Sequence, residues 1–564
     1  MASERDDLRL NTRRKDRRYI FEPKGRGTSK AQQAEWQARN EALDIDDYHD
    51  VILHYVEQVK AAEFKSGYYG QLTRRLSREG WPIISKARLR QAYLAMVDRG
   101  RVERDEEFLR RLTLKPTRTL SGIAPVTVFT KPFPCPGKCI FCPTDVKMPK
   151  SYLSNEPGAM RALILEFDPY EQVARRIEAM EKIGHTVNKV ELIIAGGTWS
   201  AYEPDYQEWF VQRCFEAMNG AEVATLEEAQ RQNETARYRN TGLVIETRPD
   251  HITVEEVRRL RRLGVTRVQM GVQSLDDQIS FLNKRGETAA DVRQAMRLLR
   301  GAGFKIALHW MPNLLGATAE SDRADFLRFW NDPAIQPDEM KIYPTGLLNG
   351  TELYDHYERG EYEPYSEDDL ADLLRFCMQQ TPETCRLNRV MRDIPAPDIV
   401  EGVTRSNLRE LVERDLRDAG TPCRCIRCRE IRGETVDADQ IEFKTIRYAT
   451  DHSEEVFISA VTPDDKLAGF LRLSLPTLPA PFTEIAEHAM IRQVQVYGPA
   501  LALSEASSGQ AQHQGLGTRL VEASLDMARE AGFAHISVIS AVGTRAYYRR
   551  HGFERGDLYM SRAL

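Results

Sequence analysis

Between residues 120 and 350 the chain alternates strand-like with helix-like segments six times, and this alternation limits the fold more than any other feature. The strand patterns cover Ala124–Thr130, Lys189–Ala195, Gly242–Thr247, Thr266–Val272, Phe304–Met311 and Glu339–Tyr343. Amphipathic stretches lie between them, among them 169–183, 254–263, 288–300 and 321–330. Strands separated by helix-length crossovers pair in parallel, because a tight hairpin cannot join parallel neighbours. The expectation is a complete or partial β/α barrel, or a doubly wound sheet. The strand ends are polar and glycine-rich: Gly196-Gly197-Thr198, Glu246-Thr247-Arg248, Gly271-Val272-Gln273-Ser274, His309-Trp310-Met311-Pro312 and Lys341-Ile342-Tyr343-Pro344. In β/α barrels the C-terminal strand ends build the active site, so these residues are its candidates.

At 564 residues, 41% hydrophobic and 29% charged, the chain is globular and long enough for several cores. That composition excludes wholesale disorder and fibrous classes. No run of about 18 apolar residues occurs, so no membrane span is expected. The charged first residues lack the apolar stretch of a secretory leader, and a reducing cytoplasm is the expected compartment. There, clustered cysteines read as metal ligands or catalytic thiols before disulfides, and six of the nine cysteines fall in two clusters.

Cys135-Pro-Gly-Lys-Cys139-Ile-Phe-Cys142 follows the first strand directly. A structural zinc wants four ligands, yet residues 143–184 contain no further Cys or His. Three thiolates suit a cubane iron–sulfur cluster, whose ordinary form uses four, with one iron left open to chelate S-adenosylmethionine. The second cluster, Cys423, Cys425 and Cys428, has C-x-C-x2-C spacing and lies between the barrel and the C-terminal part. It reads as a structural zinc site, with a second iron–sulfur centre as the alternative. Its fourth ligand stays open among Cys377, Cys385 and several histidines, and Cys214 reads as buried core.

From residue 437 the texture changes to short strands, a proline-rich turn at 475–481, a further strand at Ala489–Tyr497, a glycine-opened helix at Gln512–Ala531 and a strand at His535–Ser540. Gln512-His-Gln-Gly515-Leu-Gly517 opens that helix, and bare N–H groups at a helix N-terminus bind pyrophosphate. Tyr547-Tyr548-Arg549-Arg550-His551-Gly552-Phe553 follows downstream. Two basic stretches mark the N-terminal part: a knot at Arg13, Arg14, Lys15, Arg17 and Arg18, and a helical region that includes Arg74 and Arg75. Such stretches are solvated helix faces or phosphate-binding surfaces. The net charge of −5 averages them against acidic segments elsewhere.

The C-x3-C-x2-C loop after the first strand of a six-unit barrel resembles the radical-SAM superfamily. That resemblance implies that Gly196 and Gly197 let the strand edge approach the methionine amino group, since only residues without Cβ permit close contact. Glu246, Arg248, Gln273 and Ser274 then look like contacts to the ribose and carboxylate of S-adenosylmethionine. The C-terminal order of strand, Q-x-x-G-x-G helix, strand and Y-Y-x-x-x-G-F resembles the GNAT acetyltransferases, and implies acetyl-CoA. The two together resemble the catalytic subunit of Elongator and its stand-alone bacterial and archaeal relatives. Lys150–Ala162, Gln493–Gly498 and Val542–Tyr548 look like family segments, and the likeness runs from about 70 to 564.

The resemblance implies a tRNA wobble-uridine carboxymethyl synthase. A radical from S-adenosylmethionine abstracts hydrogen from the acetyl methyl of acetyl-CoA, the carbon radical adds to carbon 5 of the uridine, and thioester hydrolysis leaves 5-carboxymethyluridine. It further implies that Lys189 contacts acetyl-CoA from the barrel side. Gln493, Val494, Gln495 and Val496 would pair with the acetyl-pantetheine arm, and Gln512, Gly515, Leu516, Gly517 and Thr518 would hold the pyrophosphate. Tyr548 would stand beside the thioester, which makes Lys189, Tyr547 and Tyr548 the catalytic candidates. The basic N-terminal residues would neutralise phosphates of a tRNA anticodon stem-loop, without the eukaryotic accessory subunits. The chain departs from the family at Thr144-Asp145, where Gly-Gly is common, and at Gln495, where the family has a histidine. The competing reading is a protein lysine acetyltransferase that uses the GNAT part alone. The expected layout is a basic, partly disordered and helical region at 1–115, the radical-SAM barrel at 116–360, a helical linker with the second cysteine cluster at 361–436 and a GNAT domain at 437–564.

Overall fold

A computed structural model describes residues 43–65, 67–392, 394–405, 407–432, 438–498 and 515–564. The basic knot at Arg13–Arg18 and Gln512 lie outside the described residues.

Strands β1 (Ala124–Phe129), β2 (Lys189–Ala195), β3 (Arg239–Thr247), β4 (Arg267–Gln273), β5 (Lys305–Trp310) and β6 (Glu339–Ile342) lie side by side in chain order, all parallel. This is the open, partial barrel expected from six serial units. Helices cover its outside and start where capping residues say they should. Asp168 accepts from the Glu171 N–H ahead of the helix Pro169–Lys182, and Thr288 with Asp291 forms a capping box ahead of Ala289–Gly301. β4 is buried along almost its whole length, as a strand covered on both faces has to be.

After the two-residue β7 (Leu347–Leu348), the segment expected to be a linker departs from that expectation. It contributes β8 (Arg386–Arg389), a seventh parallel strand beside β6. The helices Glu367–Gln380 and Leu408–Asp418 bury Leu370, Leu374, Cys377, Leu408 and Val412 in the barrel core. β9 (Ile399–Glu401) pairs with β7 in a small separate sheet. Packing, rather than chain connectivity, makes residues 361–418 part of the barrel.

The C-terminal sheet contains β10 (Glu442–Ala449), β11 (Ser453–Val461), β12 (Leu467–Pro476), β13 (His488–Val496), β14 (His535–Val538), β15 (Glu554–Arg555) and β16 (Met560–Ala563), in the order β10-β11-β12-β13-β14-β16-β15. Its core is separate from that of the barrel, but Phe482, Ile485, Met490, Val542 and Tyr559 join the barrel core across the junction. Residues 43–112 form a helical unit with a third core.

The junction also holds buried charge. Arg492 on β13 donates to Asp338 Oδ1 at 3.0 Å, to Glu455 Oε2 at 2.7 Å and to the Phe304 carbonyl at 2.9 Å, and pairs with Asp338 Oδ2 as well. Asp338, just before β6, also accepts the Ile306 N–H at 2.9 Å. Burial alone would raise the Asp338 pKa, yet Arg492, Arg472 and Arg300 hold it well below the usual carboxylate range. A depressed carboxylate stabilises the fold above the unfolded pKa of about 4, and that stabilisation drains away as pH falls toward the lower folded value. Asp338→Asn leaves Arg492 buried against half its counter-charge. We expect about 3–5 kcal/mol of lost stability at neutral pH, and a thermal midpoint that declines less steeply below about pH 4 than that of wild type. Calorimetry across that range checks both.

Candidate active site

The sequence-predicted cofactor and coenzyme residues gather in two places, one at each end of the barrel strands, with the second cysteine triad and Arg74 and Arg75 apart from both. At the C-terminal ends, the loop after β1 carries Cys135, Cys139 and Cys142, each partly accessible. Arg285 Nη1 donates to Cys139 Sγ at 3.2 Å, Cys135 Sγ lies 3.6 Å from Thr198 Oγ1, and the Ile140 N–H donates to the Asn283 carbonyl at 3.3 Å. The loop is thus pinned by residues from the β2 and β4 ends. Thr144 and Asp145, where the family often has glycines, tie it further. Lys150 bonds Thr144, and Asp145 accepts the backbone N–H groups of Lys147 and Ser154 at 3.0 and 2.8 Å.

Arg248 lies under this loop, almost fully buried. It donates to both oxygens of Asp250 at 2.9 and 2.8 Å and to the Arg285 carbonyl at 2.9 Å, and it pairs with Glu287. Its remaining nitrogen, Nη1, is buried without a hydrogen-bond partner, and a Cβ on Gly137 would come within 2.6 Å of it. Gln273, held at a left-handed φ of 68°, keeps a second unpartnered buried atom, Oε1. Buried polar atoms left unpaired are costly and call for a partner. Their place beside a thiol loop fits a bound cluster and the polar end of S-adenosylmethionine.

Glu246 accepts from Tyr152 at 3.1 Å and lies 3.5 Å from His309 Nδ1. The other His309 nitrogen is 3.1 Å from Gln269 Oε1, to which Lys341 also donates. Burial, with the cations of Lys341 and Arg392, pushes the His309 pKa well below its ordinary value, so the ring is neutral. Gln269, Tyr152 and Arg285 were not singled out by the sequence, whereas His309 and Lys341 stood out only as polar strand ends. Their signal is burial of a polar side chain inside an apolar strand, legible once the strands are paired. Ser274 turns elsewhere: its hydroxyl donates to Asp325 at 2.9 Å and accepts the Asp276 N–H at 3.0 Å, so it closes its own loop. Gly196 and Gly197 have φ of 138° and 73°. A Cβ on Gly196 would collide with Thr130 Oγ1, so protein packing already requires this glycine.

The second place is the C-terminal sheet. Among the described residues β13 pairs with β14 over His488–Ile491 and with β12 over Met490–Val496, so β14 parts from it before Gln493. A strand that diverges from its neighbour in this way can take an extended arm alongside Gln493–Gln495. The helix Leu516–Glu530 begins after Gly515, whose φ of 69° is left-handed and which has no side chain to cap the first N–H groups. A Cβ on Gly517 would sit 3.0 Å from the Tyr547 hydroxyl. Tyr548 is buried, which pushes its pKa up. Lys189 lies at the opposite end of β2 from the cysteine loop, on the barrel floor that the C-terminal domain covers. The structure therefore groups Lys189 with the coenzyme candidates and apart from the cysteines.

Cys423, Cys425 and Cys428 bring their sulfur atoms within 4.8 Å of one another. Thiolates around one tetrahedral zinc stand about 3.8 Å apart, given Zn–S bonds of about 2.3 Å, so small adjustments make this a single-ion site. Among the described residues neither Cys377 nor Cys385 joins the group; the nearest carboxylate is Glu413, 3.7 Å from Cys428 Sγ. Cys135, Cys139 and Cys142 do not form so tight a group. Arg74 and Arg75 are exposed on the helix Tyr68–Arg78, opposite its buried Leu72 and Leu76, and Arg75 bonds Gln58 at 2.5 Å.

Three known families match consecutive parts of the chain: the radical SAM superfamily over 134–329, the radical SAM C-terminal domain over 337–418 and the acetyltransferase (GNAT) family over 422–553. Fold and sites together define a radical SAM enzyme fused to a GNAT domain. The tRNA uridine(34) acetyltransferase of Methanocaldococcus jannaschii is 42% identical over 469 residues, covering 80% of this chain and 86% of that protein. Elongator complex protein 3 of Schizosaccharomyces pombe is 37% identical over 479 residues, 81% and 88% of the two chains. The solved structure of archaeal Elp3 from Methanocaldococcus infernus, with residues 1–46 deleted, superposes with a TM-score of 0.70 at 38% identity, over 79% of this chain and 100% of that one. The chain belongs to this Elongator protein 3 and tRNA uridine(34) acetyltransferase family, and it is an enzyme.

Gly196→Ala should lower the unfolding free energy by about 1–3 kcal/mol, because it strains a left-handed residue and drives Thr130 aside. Adding Thr130→Ala should recover the steric part only, which denaturant titration of both variants measures.

Proposed function

We propose that the protein acts on the wobble uridine of tRNA and leaves a carboxymethyl group on carbon 5 of the base. The observation that carries this reading is the pairing, in one clamped chain, of a thiol loop with unpartnered polar atoms beneath it and a GNAT strand from which β14 parts after Ile491. The names of the relatives support uridine 34 as the target. When bound, the cluster and S-adenosylmethionine would supply a 5′-deoxyadenosyl radical able to take a hydrogen atom from the acetyl methyl of acetyl-CoA; the product would require the uridine adduct to return one electron to the cluster and lose its carbon-5 proton, with water cleaving the thioester.

In this reading Cys135, Cys139 and Cys142 hold the cluster. Arg285 donates to the Cys139 sulfur, and Arg248 Nη1 and Gln273 Oε1 are free for S-adenosylmethionine. Gly196, Gly197 and Glu246 line the same pocket, with Glu246 held by Tyr152 and the neutral His309. Ser274 acts through loop geometry rather than by contact. Gln493–Val496 bind the pantetheine arm, Gln512 and Gly515–Thr518 the pyrophosphate with Tyr547 beside that loop, Tyr548 stands at the thioester end, and Lys189 reaches the coenzyme from the barrel. Gln495 carries no titratable proton, so acid–base chemistry at that position is not part of the reaction. Cys423, Cys425 and Cys428 hold a structural zinc between barrel and GNAT sheet. The anticodon stem-loop docks on basic residues that include Arg74, Arg75 and the Arg13–Arg18 knot, and the reaction takes place in the cytoplasm.

Anaerobic reconstitution with iron, sulfide, S-adenosylmethionine, acetyl-CoA, reductant and tRNA, followed by nucleoside mass spectrometry, tests the reading. Wild type should yield 5-carboxymethyluridine, and Cys139→Ser should abolish it. Product that persists in Cys139→Ser would sink the radical route, and acetyl-lysine as the only product would favour a protein acetyltransferase.

A further inference from the structure

Three cations from two domains meet on the barrel floor. Lys189 opens β2 and Arg239 opens β3, and they are direct partners in that parallel pair, so their side chains are neighbours on one face. The turn Val542–Thr544 of the C-terminal domain seats on this spot: a Cβ on Gly543 would lie 2.6 Å from Arg239 Cβ and 2.7 Å from the Asn240 carbonyl oxygen. The turn leads into the helix Arg545–Arg550. There the Arg550 guanidinium lies 5.7 Å from the centre of the Tyr547 ring, and the Tyr547 hydroxyl is 3.0 Å from where a Cβ on Gly517 of the proposed pyrophosphate loop would sit.

Neighbouring arginines show what this cluster lacks. Arg545 and Arg549 pair with Glu234 at 3.1 and 2.7 Å, and Arg555 reaches the same carboxylate at 4.0 Å. Among the described residues, Lys189, Arg239 and Arg550 have no carboxylate within ion-pair distance. Burial lowers the Lys189 pKa and the Arg239 charge lowers it further; burial and the charge of Arg550 do the same to Arg239. Lys189 and Arg239, half-buried side by side, therefore repel one another, and the exposed Arg550 on the helix that follows the seated turn adds its field at Arg239, a cost that an anion would reverse.

We propose that Lys189, Arg239 and Arg550 form one phosphate-binding site built from both domains, and that its ligand is a phosphate group of the coenzyme whose arm lies on Gln493–Val496. This inference rests on the acetyl-CoA reading and adds two residues that the family resemblance did not supply. Coenzyme binding then bridges barrel and GNAT sheet, so the barrel contributes directly to affinity.

Titration calorimetry of the full chain with coenzyme A, dephospho-coenzyme A and pantetheine tests it. Arg239→Gln and Arg550→Gln should each weaken coenzyme A about tenfold, Arg239→Lys should retain most of the affinity, and pantetheine should bind all variants alike. A loss that persists with dephospho-coenzyme A assigns the site to the pyrophosphate; a loss that vanishes assigns it to the 3′-phosphate. Removing one of three like charges should leave the ligand-free thermal midpoint unchanged or raise it, and a lower midpoint marks a structural role and counts against the site. Unchanged coenzyme A affinity overturns the inference, all the more so if anticodon stem-loop binding weakens instead. Wild type that binds no coenzyme A overturns the acetyl-CoA reading itself.

Discussion

The contact between Arg492 and Asp338 fixes how everything else is arranged. Both side chains are fully buried, one on the GNAT strand β13 and one at the entry to barrel strand β6. Asp338 serves both domains, since the same carboxylate accepts the Ile306 N–H that starts the β5 neighbourhood. Glu455 and Arg472 complete the network, with Arg472 donating to the Asp338 carbonyl at 3.2 Å. Buried charges repay their desolvation only when closely paired, as Arg492 is with Asp338 and Glu455, although Arg492 Nε and Arg472 Nη1 make no hydrogen bond, and such pairs resist sliding in a way that an apolar interface does not. Because Gln493 is the next residue, the edge proposed to carry the coenzyme arm is held in register with the barrel floor.

That placement gives the two halves of the proposed chemistry different ends of one sheet, so the acetyl group has to pass from floor to mouth before a radical can act on it. The cysteine loop, Arg248, Gln273, Glu246 and His309 lie where the strands finish, whereas Lys189 and Arg239 lie where they begin. The two groups are supported differently. The mouth relies on hydrogen bonds between loops, such as Arg248 to the Arg285 carbonyl and Ile140 to Asn283. The floor relies on the junction with the GNAT domain, where Gly543 admits the close approach of Arg239.

Much of this was legible in the sequence for simple physical reasons. Six runs of apolar residues divided by capped amphipathic helices admit few topologies, and the cysteine spacing after the first run marked the mouth. β8 was missed because Arg-Leu-Asn-Arg carries one apolar side chain and reads as surface; it becomes a strand only because β6 offers it an open edge. The role of Arg248 was half legible. Its position at a strand end was plain, but the glycine that makes room for it lies 111 residues earlier, in the cysteine loop (248 minus 137). The strand-end position of Ser274 suggests a ligand contact, whereas its partner Asp325 belongs to the helix Ala319–Asn331, beyond β5 and four elements later. The tight second cysteine triad agrees with its spacing, since three thiols within six residues have little room to separate.

The account stands or falls on whether the radical made at the mouth acts on the acetyl group of the coenzyme. The direct measurement uses acetyl-CoA deuterated at the methyl group, with mass analysis of the 5′-deoxyadenosine released during a tRNA-dependent turnover. The account predicts 5′-deoxyadenosine that carries one deuterium, matched by a dideuterated carboxymethyl group on the uridine. Modified uridine accompanied by 5′-deoxyadenosine without deuterium would contradict it.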